Sequence, residues 1–174
     1  FDSKKFTSEK GFPLLRIRDI TSGQIETFFD GEFDENYIVR KDDLLIGMDG
    51  DFNIRWWNNK DVLLNQRCCS IWGDESLDKR YLYFILPFSL NIINDLTYYT
   101  TVKHLSGGDI YNIRNPLPPY KEQQQISNYL DHKTQQIDSL IEKTQQKIEL
   151  LKEQRTSLIN QVVTKGLNPD VEMK

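Results

Sequence analysis

The stretch Phe52-Asn53-Ile54-Arg55-Trp56-Trp57-Asn58-Asn59-Lys60 gathers side chains that can read a charged, base-bearing polymer. An arginine donates two hydrogen bonds to the major-groove edge of guanine, an asparagine amide matches adenine, and a lysine ammonium pairs with phosphate. Gln66 and Arg67 follow a few residues on, and Lys103, His104 and Ser106 make a second polar group. The candidate base- and phosphate-contacting set is therefore Arg55, Trp57, Asn58, Asn59, Lys60, Gln66, Arg67, Lys103, His104 and Ser106. For the first loop an alternative stays open, in which Trp56 or Trp57 belongs to the core and the rest is a solvated connection.

Other chemistries find less support. Leu117-Pro118-Pro119-Tyr120 invites comparison with the Asn/Asp-Pro-Pro-Tyr motif of amino-methyltransferases. That chemistry needs the first side chain to hold the target amino group, which Leu117 cannot do, and no FxGxG loop for S-adenosylmethionine is present. The GxxxxGK[ST] phosphate loop is missing. His104 and His132 are isolated and the cysteines form no CxxC, so no zinc site is expected. Ser106-Gly107-Gly108 reads either as a phosphate cradle or simply as a turn. Catalytic residues are accordingly expected to be absent.

The elements that must position the candidate set are short. Leu14 to Ile20 alternates apolar and polar residues, the pattern of a half-buried strand. Tyr37-Ile38-Val39, Leu44-Leu45-Ile46, Val62-Leu63-Leu64 and Cys68 to Trp72 read as further strands, with a tight turn at Asp49-Gly50. Ser76 is a plausible cap for a helix from Leu77 to Leu86, which Pro87 should break. Thr97 to Leu105 reads as another strand, and Ser106 to Asp109 as a turn. The expectation is a mixed α+β, α/β-type globular domain over residues 1–117.

Composition sets outer bounds. The chain has 174 residues, of which 38% are hydrophobic, enough for one core plus an appended element. No apolar run approaches the roughly 20 residues of a membrane span. No signal peptide is visible, although the chain opens on Phe1. Cys68 and Cys69 are adjacent, and neighbouring Cα atoms about 3.8 Å apart fall short of ordinary disulfide geometry. Reduced thiols fit a cytoplasmic protein. Net charge is −4, and residues 1–117 carry 14 Lys+Arg against 18 Asp+Glu. A nucleic-acid surface would therefore have to be a local basic face on an acidic domain.

The last third of the chain has a different organisation. Pro118-Pro119 opens a segment with Glu122 in its first turn, and Gly166 and Pro169 close it with Lys165 in its last. No Gly or Pro intervenes, so residues 118–166 form one helix about 65 Å long, followed by a tail over 167–174. Its seam runs Leu130, Thr134, Ile137, Ile141, Thr144, Ile148, Leu151, Arg155, Leu158, Val162, in alternating steps of four and three. That is a coiled-coil period, and a lone helix cannot bury its own seam. The expected helix–helix interface is Leu130, Ile137, Ile141, Thr144, Ile148, Leu151, Leu158 and Val162.

These residues also carry a resemblance. Leu117-Pro118-Pro119, Glu122-Gln123, Ile126, Leu130, Ile137-Asp138, Leu151-Lys152-Glu153, Arg155, Leu158-Ile159 and Val163-Thr164-Lys165-Gly166 resemble the conserved helical region of Type I restriction-modification specificity subunits. Upstream, Ile17-Arg18-Asp19-Ile20, Asp43 to Gly50, Leu64-Asn65-Gln66-Arg67 and His104-Leu105-Ser106 look like a target recognition domain preceding such a helix. The resemblance implies a non-catalytic subunit that reads one half of a split double-stranded DNA target and docks the methyltransferase (modification) subunit. A restriction subunit would then supply translocation and cleavage. S-adenosylmethionine, ATP and magnesium would belong to those partners, with no cofactor in this chain. The usual subunit holds two recognition domains and two helices in tandem, whereas this chain holds one of each. It is expected to be a half-subunit, a fragment or a natural short form, pairing antiparallel through its helix with a second copy or a sister half. The rival readings are a stand-alone DNA methyltransferase or nuclease, and a coiled-coil scaffold without DNA contact.

Overall fold

The computed structural model describes residues 1–72, 75–96 and 103–167. Two compact units are present, Phe1–Ser127 and Asn128–Lys174.

The first unit is built on two small sheets. β1 (Phe6–Thr7), β2 (Phe12–Leu15), β3 (Phe28–Phe29), β4 (Ile38–Val39) and β7 (Val62–Leu64) form one, in the order β1-β3-β2-β7-β4. Its β2–β7 pair is parallel, with Leu14 opposite Leu63, and the other pairs are antiparallel. The second sheet is antiparallel, with β5 (Leu44–Gly47) between β6 (Ile54–Trp56) and β8 (Cys68–Ile71). Because side chains alternate along a strand, β5 feeds two cores. Leu45 packs with Leu15, Ile20, Val39, Trp57, Val62 and Cys68, tying the sheets together. Leu44 and Ile46 instead face Leu82, Leu86 and Leu90 of α2 (Lys79–Leu96). A third cluster of Leu14, Phe29 and Leu63 is flanked by Phe1, Phe6, Phe12 and Phe33.

Four local readings of the sequence are corrected. The segment from Leu14 to Ile20 is a strand only to Leu15, after which α1 (Ile17–Ser22) begins. The Asp19 carboxylate accepts the Arg16 backbone N–H at 2.8 Å, a local bond that favours a helix start over strand pairing. Gly23 then ends α1 at φ +75°, donating its N–H to the Asp19 carbonyl. In α2 the cap is Asp78, not Ser76, since the Asp78 side chain accepts the Tyr81 N–H at 2.8 Å. Pro87 lies inside α2, which continues to Leu96. Leu82, Leu86 and Leu90 form one buried face that runs through the proline, and that burial outweighs the single backbone bond the proline forgoes. Finally, Ser106 to Asp109 is the start of α3 (Gly107–Tyr111), with Ser106 and Asp109 bonded reciprocally as a capping box. Of the strand expected over Thr97 to Leu105, residues 97–102 lie outside the described residues. Within the remainder, His104 bridges Asp49 in antiparallel fashion.

The long helix is α4 (Tyr120–Lys165), 46 residues, or about 69 Å at 1.5 Å each. Gly166 closes it at φ +74°, its N–H bonded to the Val162 carbonyl at 3.0 Å. The first two turns of α4 belong to the compact globular unit. Gln123, fully buried, accepts the Asp78 N–H through Oε1 at 2.9 Å and donates through Nε2 to the Ser76 and Pro118 carbonyls at 2.9 and 2.8 Å. Ser127 donates to its own helix at the Gln123 carbonyl, 2.8 Å away, and its hydroxyl lies 3.2 Å from the Asp78 carboxylate. Among the described residues no helix is long and apolar enough to cross a membrane.

Candidate nucleic-acid interface

The strand register divides the candidate residues into two groups. β6 runs antiparallel to β5, with Trp56 opposite Leu44 and Ile54 opposite Ile46, so part of the expected loop is strand. The pairing extends through Trp57, whose N–H bonds the Asp43 carbonyl at 2.8 Å. Asn58, Asn59 and Lys60 therefore turn at the Leu44 end of β5, and all three are exposed. Arg67 precedes Cys68, which pairs with Gly47, and so sits at the other end. A sequence stretch that reads as one patch becomes two, separated by the length of a strand.

Several residues of the first group have structural duties. Trp57 is 1% exposed and lies in the inter-sheet core, its indole N–H donating to the Lys60 carbonyl at 2.9 Å. It is a core residue, which corrects its assignment to a DNA surface; the rest of the stretch is part strand, Ile54–Trp56, and part exposed turn. Arg55 points back at α1, where Nε donates to the Ile20 carbonyl and Nη2 to the Thr21 carbonyl. It satisfies backbone acceptors at a helix C-terminus, where a cation is also favoured by the helix dipole. Its guanidinium packs on Gly23, where a Cβ would lie 2.9 Å from Nη1 and displace the arginine tip, while the φ of +75° is what favours glycine there. Asn59 donates to the Gly23 carbonyl at 3.2 Å. Ser106 is occupied as the α3 cap, and its bonds hold the Asp109 carboxyl below the usual carboxylate range.

The second group is assembled by backbone pairing beyond β5. Met48 donates to the Arg67 carbonyl at 2.9 Å, Leu105 donates to the Met48 carbonyl at 2.7 Å, and Gly50 donates to the Lys103 carbonyl at 3.2 Å. Three segments are thus stitched side by side, and their side chains meet. His104 Nδ1 lies 2.7 Å from Asp49 Oδ1, and Arg67 Nη1 lies 3.5 Å from the same oxygen. Leu105 beneath them is fully buried, which anchors the segment. Gln66 is exposed next to Arg67, and its N–H bonds the Asn65 side chain at 2.8 Å. Lys103 is partly buried. Sequence reading missed Asp49, taking Asp49-Gly50 only as a turn. The acid of that Asp-Gly dipeptide was the available signal.

A further unanticipated feature is Arg80, whose guanidinium lies 4.9, 4.8 and 5.4 Å from the ring centres of Trp56, Tyr83 and Phe84. These stacking contacts join α2 to β6. Both thiols are shielded, with burial raising Cys68 to about 12 and Cys69 to about 11. No group of three or more His, Cys, Asp or Glu side chains that could hold a metal occurs among the described residues.

On the second unit, the seam residues Ile137, Ile141, Ile148, Leu151 and Leu158 are 47–60% exposed, while Leu130 and Val162 are intermediate. Thr144, also on the seam, turns its hydroxyl back to the Leu140 carbonyl at 2.7 Å.

The architecture is that of a mixed α/β domain of two small sheets followed by a long helix with an exposed apolar seam. Residues 1–150 match the family described as the Type I restriction modification DNA specificity domain, and the chain belongs to that family. It is 40% identical over 172 residues to the Type I restriction enzyme EcoBI specificity subunit of Escherichia coli, covering 98% of this chain and 36% of that protein. Against the MjaVIII specificity subunit of Methanocaldococcus jannaschii it is 26% identical over 157 residues, again covering 36% of the relative. Two solved structures share the fold at 19% identity and 95% coverage of this chain. One, from the type I R-M system, has a TM-score of 0.76, and the other, the HsdS subunit of Thermoanaerobacter tengcongensis, 0.64. The chain covers 42% and 41% of those two chains.

Proposed function

We propose that this chain is a non-catalytic DNA sequence-recognition module of a Type I restriction-modification system, acting in the cytoplasm. The globular unit reads one half of a bipartite double-stranded target, and the long helix pairs with another such helix and docks the modification subunit. The observation that carries the reading is family membership across residues 1–150, which include the whole globular unit. The exposed cations and amides of Asn58 to Lys60, Gln66, Arg67 and His104 supply suitable contacts. Chemistry is assigned to partners: methyl transfer from S-adenosylmethionine to the modification subunit, and ATP- and magnesium-dependent cleavage to the restriction subunit.

Selection from a random duplex pool, with the chain mixed with its modification subunit, tests the reading. One enriched half-site is expected from each recognition domain. An absence of enrichment, or methyl transfer by the purified chain alone, overturns it.

The exposed seam supports pairing of two copies, and the family resemblance supplies the antiparallel sense. The target of such a homodimer is an interrupted palindrome, with half-sites on the order of a helical turn or somewhat more apart.

A further inference from the structure

Of the groups that the fold brings together, one is organised around an acid with no part in the reading above. We infer that Asp49 is a positioning residue for base recognition, clamping Arg67 and His104 as a preorganised reading pair. The inference rests on the DNA-recognition reading and names the chemistry of one of its contacts.

The geometry is convergent. A single carboxylate oxygen, Asp49 Oδ1, receives His104 Nδ1 at 2.7 Å and Arg67 Nη1 at 3.5 Å, and the two nitrogens are 3.3 Å apart. The three residues come from segments held in register by the backbone bonds of Met48, Gly50 and Leu105, so the cluster does not depend on its own ion pairs for assembly. The side chains remain reachable, Arg67 53% and His104 45% exposed, while Asp49 beneath them is 28% exposed.

Partly exposed ion pairs of this kind contribute little to folding. They do remove rotamer freedom from a long arginine before a ligand arrives, which lowers the entropy cost of binding. With Nη1 held by Asp49, the Nε–Nη2 edge of Arg67 is left to donate in parallel to guanine O6 and N7. A 2.7 Å contact with a carboxylate places the neutral imidazole proton of His104 on Nδ1. Nε2 is then a lone-pair acceptor, which suits the exocyclic amine of adenine or cytosine in the major groove. The Arg67–His104 approach at 3.3 Å is accordingly a neighbour contact imposed by the shared acceptor. The ligand is duplex DNA presenting a guanine next to a base that carries an amino group.

The test uses the full chain with its modification subunit and a randomised duplex pool, sequenced after selection, together with affinity for one scrambled duplex. Arg67→Ala and Asp49→Ala are expected to lose preference for guanine at the same position, by about tenfold in relative affinity. His104→Ala should relax the neighbouring position, with affinity for the scrambled duplex nearly unchanged. Asp49→Asn, which has the same shape, decides the matter should the alanine variant fail to fold, and is expected to relax both positions. Long-range proton–nitrogen NMR of the free chain should show His104 protonated on Nδ1, a readout that needs no DNA. Unaltered base preference in both Asp49 variants, or an Nε2-protonated His104, overturns the inference. If the wild type enriches a site but Arg67→Ala and His104→Ala leave it unchanged, this inference fails and the recognition reading stands. If the wild type enriches nothing, both fail.

Discussion

Replacing Gln123 should unfasten the start of α4 from the globular unit. Its amide makes three hydrogen bonds, to the Asp78 N–H and to the Ser76 and Pro118 carbonyls, in a fully buried position. A net hydrogen bond contributes roughly 1 kcal/mol, and a partner left dry costs about 1–3 kcal/mol. Ser76 is exposed and Asp78 and Pro118 are half-buried, so water can reach the orphaned groups after truncation. Gln123→Ala is therefore expected to cost about 2–4 kcal/mol, towards the low end per bond. Gln123→Glu keeps the shape and the acceptor for Asp78 but turns a second oxygen towards two carbonyls. Ionised Glu is disfavoured there by desolvation and by those dipoles, so its folded-state pKa rises above the roughly 4.3 of an unfolded chain. The folded state then binds the extra proton. The penalty relative to wild type is largest at neutral pH and shrinks as pH falls through the folded pKa; below the unfolded value only the cost of the one carbonyl that a single O–H cannot serve is left. Urea unfolding followed by the fluorescence of buried Trp57, at pH 7.5 and at acid pH, measures both variants. A Gln123→Ala loss within about 0.5 kcal/mol, the range of neutral surface changes, would refute the reasoning. So would a Gln123→Glu penalty that grows towards acid pH.

Arg55→Ala should lower stability by about 1–3 kcal/mol through the abandoned Ile20 and Thr21 carbonyls. Thermal melting checks this, and an unchanged melting temperature with lost DNA specificity would return Arg55 to the recognition set. Changing Ile141, Ile148 and Leu151 together to Asp should give monomers by light scattering while the globular unit stays folded. The seven apolar seam residues are about half covered by their own helix, so pairing adds roughly 5–10 kcal/mol per chain before association costs. A wild-type chain that stays monomeric at high concentration sinks the homodimer and leaves pairing to a sister half-subunit. With Cys68 raised to about 12 and Cys69 to about 11, about one thiol in a thousand or fewer is ionised at pH 8. Alkylation should be slow in the native chain and fast in denaturant, and rapid native labelling would contradict the burial of Cys68 and the partial burial of Cys69.

The rod was legible because its signals are local and repeated. Pro118-Pro119 and Gly166 set its ends to within two residues, and each heptad restates the seam. The globular unit has strands of two to four residues, too short for periodicity to separate them from other extended chain. Leu14 to Ile20 alternates convincingly, yet the bond from the Arg16 N–H to Asp19 turns the chain into α1 after Leu15. Pro87 reads as a stop because its effect on the backbone is local. The opposing burial of Leu82, Leu86 and Leu90 depends on a sheet far away in sequence.

The candidate interface shows the same division with more at stake. Residue type identified cations and amides suited to DNA, but type does not say where a side chain spends its hydrogen bonds. Arg55 has its donors on a helix end, and Trp57 has its ring in the core. Arg67 and His104 are 37 residues apart in sequence, and the Asp49 carboxylate that joins them lies in what reads as a plain Asp-Gly turn. Their meeting follows from the backbone bonds of Met48, Gly50 and Leu105, which are pairing facts without a residue-type signature. An arginine in such a family is therefore better judged by its fixed acceptor than by its charge. One held by backbone carbonyls through Nε and Nη2, as Arg55 is, has spent that two-donor edge in folding, whereas one steadied through Nη1 by a carboxylate at a strand edge keeps it for a base.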